Sequence, residues 1–301
     1  MKKKKSFGKP ELGFRVTNTL ILSLVSLLSL YPLYFCLIAS VSDPVAIAGG
    51  KVIFLPVGFR LNAYLYVFEN PLIWTGYKNS IIYMVLGTAL SLLLTLPTAY
   101  ALSKKELPMK TFFTWVFLFT MYFGGGMVPT YLVIKTLGLI NNPLVIIILG
   151  AVATGNIIIT RTYFQTSVPP ELFEAAYVDG ASEIRSFVQI ALPLSLPIIA
   201  VIALYCAVGR WNGFMDALLY LNDKDYYPLQ LILRNILLQN ETMAMGDYFD
   251  DDALLAAIER QRTAEAMRYA LIFIASAPMI VFYMFTQKYF IHGLTAGAVK
   301  G

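Results

Sequence analysis

The stretch ELFEAAYVDGASEIRSFVQIALPLSLP, residues 171–197, is the one polar and turn-rich segment that lies between long apolar runs of this chain. It follows Pro169-Pro170, and proline favours the first turn of a helix, where its missing N–H would have no partner anyway. Asp179-Gly180 predicts the end of that helix, because glycine readily adopts the left-handed conformation found after helix C-termini. Ser182 predicts the N-cap of a second short helix. The stretch is therefore predicted to form two short helices joined at Gly180, in the pattern of a docking element.

Charge and side-chain size along the same stretch support a docking role. Glu171 and Glu174 are predicted in the first helical turn, where the positive end of the helix dipole favours a carboxylate. Ala175-Ala176 keeps one face small, so that another protein surface can approach the backbone closely. Leu192-Pro193 and Pro197 mark the beginning of the next apolar run.

The composition of the whole chain predicts a membrane protein. Of its 301 residues 58% are hydrophobic and 14% are charged, whereas soluble domains carry about 25% charged residues. The net charge of +5 comes largely from lysines at the N-terminus. Such a distribution sets membrane topology and does not indicate nucleic-acid binding.

Six apolar runs are interpreted as transmembrane helices, since a helix needs about 20 residues to cross the hydrocarbon core. The predicted spans are residues 16–39, 80–101, 111–134, 143–159, 194–208 and 270–285. Lysines and arginines cluster on one side, and acids predominate in the opposite segment 211–262, which we expect to be external and to form surface helices. Both termini are therefore predicted inside the cell. The run Asp250-Asp251-Asp252 in the external segment has no assigned role.

A cleaved signal peptide is the alternative for the first run, because Ala46-Ile47-Ala48 loosely resembles a cleavage site. The run is longer than the roughly 7–15 apolar residues of such a peptide, and Asp43-Pro44 intervenes. We therefore expect an uncleaved first span.

The third run contains a helix-breaking cluster, Gly124-Gly125-Gly126 followed by Pro129, at membrane depth. Broken helices are tolerated in a bilayer mainly where they are buried in protein or line a cavity. The cluster predicts either part of a translocation path or close helix packing through small residues, and the sequence leaves both open.

Several residue types and motifs that define other classes of membrane protein are absent from the sequence, and this narrows the possible functions. No predicted span interior contains Asp, Glu, Lys or Arg, which disfavours a proton- or ion-coupled transporter. No G-x-x-x-x-G-K-[ST] loop is present, so we expect no ATP hydrolysis by that route. Cys36, Cys206 and the single His292 have no metal-like or redox spacing. Neither a catalytic site nor a metal site is therefore expected.

Glu174-Ala175-Ala176, three residues, Gly180, nine residues and then Ile190-x-Leu192-Pro193 match every fixed position of the EAA loop. On these residues the chain resembles the membrane subunits of bacterial ABC importers. An ordinary amphipathic loop helix of another membrane protein is the alternative.

The resemblance implies that residues 167–193 form coupling helices that dock into a groove of a separate ATP-binding subunit. Glu174 is then expected to make a polar contact, and Gly180 to form the turn between the helices. The residues implied for ATPase coupling are Glu174, Ala175, Ala176, Asp179, Gly180, Ile190, Leu192 and Pro193. No cofactor is expected on this chain, since ATP and Mg²⁺ would bind the partner.

Two further segments are similar to the maltose-type carbohydrate permeases. They are WNGF at residues 211–214 followed by YPLQL at 227–231, and the ending KYFIHGLTAGAVKG at 288–301. The whole chain resembles the subset associated with complex oligosaccharides, including uronate-containing ones. The resemblance implies a complex with a second homologous permease, two ATP-binding subunits and an extracellular sugar-binding protein, which would contact residues 220–262.

Sugar rings offer apolar C–H patches beside hydroxyl groups, so aromatic faces and amides usually hold them. The residues predicted for the translocation path are Gly124, Gly125, Gly126, Tyr131, Asn156, Trp211 and Asn212, with Tyr122 and Thr160 as further candidates. Packing or interface anchoring is the alternative for each of them.

The sequence thus predicts an all-α polytopic membrane protein with six transmembrane helices. A basic cytosolic tail, residues 1–15, precedes the six-span domain, residues 16–290, and a cytosolic tail, residues 291–301, follows. The predicted function is that of a permease subunit of an ATP-driven carbohydrate importer in the bacterial inner membrane. The alternatives are an ion-coupled secondary transporter and a polytopic membrane enzyme; no nucleic-acid partner is expected.

Overall fold

The computed structural model describes residues 9–244, 267–285 and 287. In these residues the regular secondary structure is entirely helical, which confirms the predicted all-α class. The first seven helices are α1 (Lys9–Ser40), α2 (Pro44–Ala48), α3 (Asn62–Glu69), α4 (Pro71–Ser103), α5 (Lys110–Tyr122), α6 (Met127–Thr136) and α7 (Leu144–Ile148). The next are α8 (Thr154–Ser167), α9 (Pro170–Val178), α10 (Glu183–Leu194), α11 (Leu196–Asn212), α12 (Met215–Tyr220), α13 (Leu229–Ala244) and α14 (Met267–Phe285).

The chain forms two compact units. One comprises Met1–Glu69 and Ile236–Ser276, and the other comprises Asn70–Asn235 and Ala277–Gly301. In the first unit the end of α1 is tied to the residues that follow it: Ser42 donates its hydroxyl to the Ile38 carbonyl, 2.6 Å away. Asp43 caps α2 through the Val45 N–H at 3.0 Å and pairs with Arg60 at 3.2 Å. The predicted site residues lie in the second unit.

Three of the described helices are long and apolar enough to cross a membrane. They are Gly13–Ser40, Pro71–Ser103 and Met267–Phe285, with 28, 33 and 19 residues. Two bent pairs, α5 with α6 and α10 with α11, raise the number to five if each pair is one span. A polytopic membrane protein is therefore confirmed.

The break predicted in the third span is present. Helix α5 ends at Tyr122, α6 begins at Met127, and the two axes differ by 110°. Gly126 between them has a φ of +86°, in the region that only glycine enters readily.

The predicted fourth span, residues 143–159, is not one continuous helix. Helix α7 ends at Ile148 and Gly150 has a φ of +67°, a left-handed conformation through which an α-helix cannot continue. Helix α8 begins at Thr154 and continues to Ser167. The run 143–159 is apolar on both sides of Gly150, and hydropathy does not reveal this interruption.

Helix α11 carries a charged side chain close to its end. The helix continues four residues beyond the predicted end of the fifth span, so that Arg210 lies in its last turn. The Arg210 side chain is half-buried beside Gly87 of α4, and its guanidinium donates a hydrogen bond to the Ile146 carbonyl. A cation is tolerated there because a backbone carbonyl partly replaces its hydration.

Helix α4 is the central element of the second unit and packs against α7, α8 and α11. Its buried face repeats every three or four residues and is mostly small, as in helices that approach one another closely in membranes. This face comprises Gly76, Ser80, Tyr83, Gly87, Ser91, Thr95 and Ala99.

Residues 222–229, which we call the outer segment because they belong to the predicted external segment, are held by side chains in the first half of α4. The Asn79 amide donates to the Asp225 and Tyr227 carbonyls at 2.7 and 3.1 Å, and the Tyr83 hydroxyl donates to Tyr226 O at 2.8 Å. The Ser80 hydroxyl accepts the Leu229 N–H at 2.8 Å. These hydrogen bonds therefore fix the position of the segment relative to α4. The rest of the predicted external segment, from residue 245 to 262 and including Asp250-Asp251-Asp252, lies outside the described residues.

Replacing Gly76 by leucine is expected to destabilise the second unit. A Cβ atom at Gly76 would lie 2.7 Å from Ile232 Cδ1 and 2.9 Å from Leu229 Cα, so α4 and α13 must separate. Overpacking of this kind costs about 1–3 kcal/mol. Thermal unfolding in detergent, followed by reaction of the cysteine thiols with a fluorescent dye, measures the loss. Gly209→Leu is the matched control, because a Cβ at that helical glycine meets nothing within 4 Å. An equal midpoint for both variants would contradict the prediction.

Candidate functional site

Helix α9 and helix α10 form the two short helices predicted around Gly180. Gly180 has a φ of +74°, its N–H donates to Tyr177 O at 3.0 Å, and the Ala181 N–H donates to Ala176 O at 2.8 Å. This pair of hydrogen bonds is the Schellman motif, which ends a helix at a left-handed residue. The predicted end of the first helix and its turn are therefore confirmed.

Helix α10 begins where Ser182 predicts. Ser182 has extended backbone angles, and its hydroxyl accepts the Arg185 N–H at 3.3 Å. The helix then passes through a π-helical turn, Phe187–Ala191, and meets α11 at an angle of 81°. Buried Ser195 lies at this bend. The loop thus leads directly into α11, an apolar helix of 17 residues.

One detail of the prediction for α9 is wrong. The helix begins at Pro170, so Glu171 lies in its first turn and Glu174 does not. The helix dipole acts mainly within the first turn, so it contributes little at Glu174. Any role of the Glu174 carboxylate must therefore come from contacts with groups outside α9.

The tip of the loop is exposed and apolar. Tyr177, Val178 and Ile184 are 80%, 85% and 76% exposed. Of the predicted coupling residues Glu174, Ala175, Asp179, Gly180 and Pro193 are exposed, and Ala176, Ile190 and Leu192 are partly buried. The structure gathers residues 174–180 at the tip, whereas Ile190, Leu192 and Pro193 lie towards the bend into α11. Exposed apolar groups beside charged ones are typical of a protein-binding surface.

The root of the loop is attached to the end of α4 by side chains that the sequence analysis did not select. The Glu183 carboxylate accepts a hydrogen bond from the Tyr100 hydroxyl at 3.0 Å and pairs with Lys104 Nζ at 3.3 Å. Lys104 Nζ also lies 4.1 Å from the ring centroid of Phe173 and 4.8 Å from that of Tyr100. We call Tyr100, Lys104, Phe173 and Glu183 the root cluster. A lysine at that position serves in the sequence analysis only as a topology marker, and no sequence pattern connects it to Glu183.

Aromatic packing surrounds the root cluster. The Tyr100 ring lies 5.0 Å from Phe187, 5.8 Å from Phe164 and 6.0 Å from Phe173, measured between centroids. Beside it is a cavity of about 820 Å³, which reaches Glu174 and Tyr177 of α9. The loop is therefore packed at its root, with open space under its tip.

The residues predicted for the translocation path have separate neighbours. Gly124, Gly125 and Gly126 are exposed at the break between α5 and α6. Tyr131 stacks on Tyr220 with centroids 6.0 Å apart, and the Asn156 amide points to Cys206 Sγ at 3.6 Å. These contacts do not by themselves bring the path residues into one site.

Other candidates for sugar contact differ in exposure. Trp211 is 1% exposed and lies 6.1 Å from the Tyr77 ring, whereas Asn212 is exposed. Tyr122 is exposed as well, and Thr160 is buried with its hydroxyl on Asn156 O at 2.7 Å. Within the described residues no group of three or more His, Cys, Asp or Glu side chains is placed to hold a metal ion.

Most of this chain is similar in sequence to known transport proteins. The family described as "Binding-protein-dependent transport system inner membrane component" has a sequence model that matches residues 73–295. The chain is 38% identical over 288 residues to Protein LplC of Bacillus subtilis (strain 168), covering 96% of this chain and 95% of that protein. It is 36% identical over 280 residues to the polygalacturonan/rhamnogalacturonan transport system permease protein YtcP of the same organism, covering 93% and 96%.

A solved structure has a similar fold. It is the crystal structure of a bacterial ABC transporter involved in the import of the acidic polysaccharide alginate. One of its chains superposes with a TM-score of 0.81 at 33% sequence identity, covering 95% of this chain and 100% of that chain.

Proposed function

This chain belongs to the family of inner membrane components of binding-protein-dependent transport systems and is a permease of a carbohydrate ABC importer, and we propose that its cargo is a uronate-containing oligosaccharide. The observation that supports this cargo is that two similar proteins are named for acidic polymers, polygalacturonan and alginate. Both are similar over more than nine-tenths of this chain. A uronate polymer carries one carboxylate on each uronate ring, so a path for it must accept repeated negative charge.

In our proposal ATP is hydrolysed on a separate subunit. The chain carries no G-x-x-x-x-G-K-[ST] loop, so it needs a partner that binds ATP and Mg²⁺. The proposed complex contains this chain, a second homologous permease, two ATP-binding subunits and an extracellular sugar-binding protein. Both termini would face the cytosol, as the positive-inside rule predicts for lysine-rich ends.

The loop formed by α9, Gly180 and α10 is the proposed docking site for the ATP-binding subunit. Glu174 would make the polar contact, and Ala175 with Ala176 would let the partner approach the backbone. The exposed tip supports this assignment, because apolar side chains such as Tyr177 and Val178 gain from being covered. Closure of two ATP-binding subunits would then move the loop as a rigid body and switch the spans between inward and outward states.

The translocation path is proposed to pass the break between α5 and α6. Gly124, Gly125, Gly126 and Tyr131 would form one part of it, since irregular backbone at membrane depth is tolerated where it lines a cavity. Asn156 and Asn212 are proposed as the remaining contacts with the sugar. Trp211 is buried, so it would contribute to the path by supporting the residues that line it.

Uptake by proteoliposomes tests the cargo. The complex is purified with its partners and reconstituted with ATP in the lumen, and the binding protein is added on the other side. We expect uptake of a labelled trigalacturonate that exceeds uptake of maltotriose by about tenfold or more, a difference of about 1.4 kcal/mol in recognition. Uptake must require ATP and persist when ionophores collapse the ion gradients. Preference for the neutral sugar would contradict the proposed cargo, and uptake driven by an ion gradient without ATP would contradict the importer mechanism.

A further inference from the structure

The root cluster joins both helices of the loop to one side chain, that of Lys104, which directly follows the last residue of α4. Lys104 contacts Phe173 of α9 through the ring face and Glu183 of α10 through the carboxylate. Tyr100, in the last turn of α4, lies four residues before Lys104, and its hydroxyl donates a hydrogen bond to the same carboxylate. A displacement of either short helix therefore acts on the end of α4.

The exposure of the ion pair indicates that stability is not its main contribution. The Glu183 side chain is 72% exposed and that of Lys104 is 22% exposed. An ion pair so open to water contributes little to folding stability, because solvent screens the attraction. Its geometry is nevertheless specific, since one carboxylate meets the hydroxyl of Tyr100 in the last turn of α4 and the ammonium of Lys104 just after that helix.

Helix α4 connects the root cluster to the outer segment. The helix has 33 residues and is about 50 Å long at 1.5 Å per residue. Side chains in its first half, those of Asn79, Ser80 and Tyr83, hold residues 222–229. The π-helical turn at Phe187–Ala191 is a local irregularity of a kind that is frequent at functional sites.

We propose that the root cluster is the transmission joint of the importer: Lys104 and Glu183 pass the movement of the loop to α4, and α4 passes it to the outer segment. This inference rests on the proposed docking of the loop to an ATP-binding subunit. Lys104, Tyr100 and Glu183 are positioning residues, since they touch neither ATP nor sugar. Their removal uncouples the two ends of α4 without preventing assembly.

A spin label on the outer segment tests the joint without any cargo. The full complex carries Lys224→Cys labelled with a nitroxide, in a background with Cys36→Ala and Cys206→Ala; Lys224 is exposed in the outer segment. We expect the spectrum to change when ATP and vanadate trap the closed ATPase. The change is lost in Lys104→Glu and in Glu183→Lys, and it returns in the double variant, where the two charges are exchanged. Lys105→Glu, next to the joint and exposed, is the matched control and retains the change.

The ratio of sugar taken up to ATP hydrolysed is the second readout. Each single variant is expected to lower this ratio by about fivefold or more, the lower end of typical coupling between sites, while the ATP-binding subunit still copurifies. A spectral change that persists in both single variants overturns the joint, and so does a wild-type label that does not respond to trapping. Loss of the ATP-binding subunit from the single variants also overturns it, because the cluster would then only shape the docking site. An incorrect cargo proposal would give a different result from an incorrect joint. The wild type would then take up no labelled sugar, whereas the spin label would still respond to trapping.

Discussion

Replacing Gly180 by valine is expected to abolish sugar uptake while the protein still inserts into the membrane. The backbone at Gly180 has a φ of +74°, and a left-handed conformation costs a residue with a side chain about 1–2 kcal/mol. Space is not the limit, because a Cβ there would meet nothing within 4 Å. To relieve the strain the chain must give up the hydrogen bonds to Tyr177 and Ala176, which changes the angle between α9 and α10. A loop so altered no longer fits its groove, and uptake should fall by about tenfold or more for each 1.4 kcal/mol lost in docking.

Two controls separate this effect from general backbone strain. Gly180→Asn should retain most of the uptake, because asparagine enters the left-handed region more easily than valine. Gly138→Val introduces the same strain at a φ of +68°, also with nothing within 4 Å, but outside the loop. Uptake and the amount of protein in the membrane fraction are measured for each. Equal loss of uptake in Gly138→Val, or failure of Gly180→Val to insert, would mean that the glycine serves folding and not coupling.

Replacing Glu174 by lysine is expected to release the ATP-binding subunit from the complex. Glu174 is exposed on α9 beside the open cavity and near the apolar tip, so its carboxylate is free to meet a partner group. Reversal of a charge in an interface places like charges together, which costs several kcal/mol. The affinity for the ATP-binding subunit should fall by about 100-fold or more, since each 1.4 kcal/mol is a factor of ten. Retention of the ATP-binding subunit on the tagged permease, measured over a range of its concentrations, gives the change.

Glu171→Lys is the matched control for that result. Glu171 is the same residue type, is exposed, and lies on the same helix one turn earlier. It is not part of the wall of the cavity beside the root cluster. Its reversal costs about 0.3–1 kcal/mol of interaction with the helix dipole, and the ATP-binding subunit should remain bound. Equal loss in both variants would show that the net charge of α9, and not the position of Glu174, determines binding.

Local signals in the sequence predicted the local structure of the loop well. Proline at the start of α9, glycine at its end and Ser182 at the start of α10 each act on the few backbone groups next to them. The break at Gly124-Gly125-Gly126 was predicted for the same reason. Hydropathy was less informative where a helix is interrupted without a change in polarity. For that reason the interruption at Gly150 was missed.

The root cluster could not be predicted from local signals. Tyr100 and Glu183 are 83 positions apart, and only the packing of α4 beside the loop brings them together. The end of the fifth span is a related case. The apolar run was predicted to end at residue 208, whereas the helix continues to Asn212, and the Arg210 guanidinium in its last turn donates a hydrogen bond to the Ile146 carbonyl. In both cases contacts between residues that are far apart in the sequence determine the structure.

Purification of the tagged chain from its own host in a mild detergent is the most direct test of the central claim, that this permease is driven by ATP hydrolysis on a partner through the α9–α10 loop. We expect an ATP-binding protein and a second permease to copurify, with ATPase activity in the eluate. Both the activity and the ATP-binding protein should be lost from Glu174→Lys and kept in Glu171→Lys. A chain that elutes alone, in a detergent that keeps another importer of this family intact, would contradict the account.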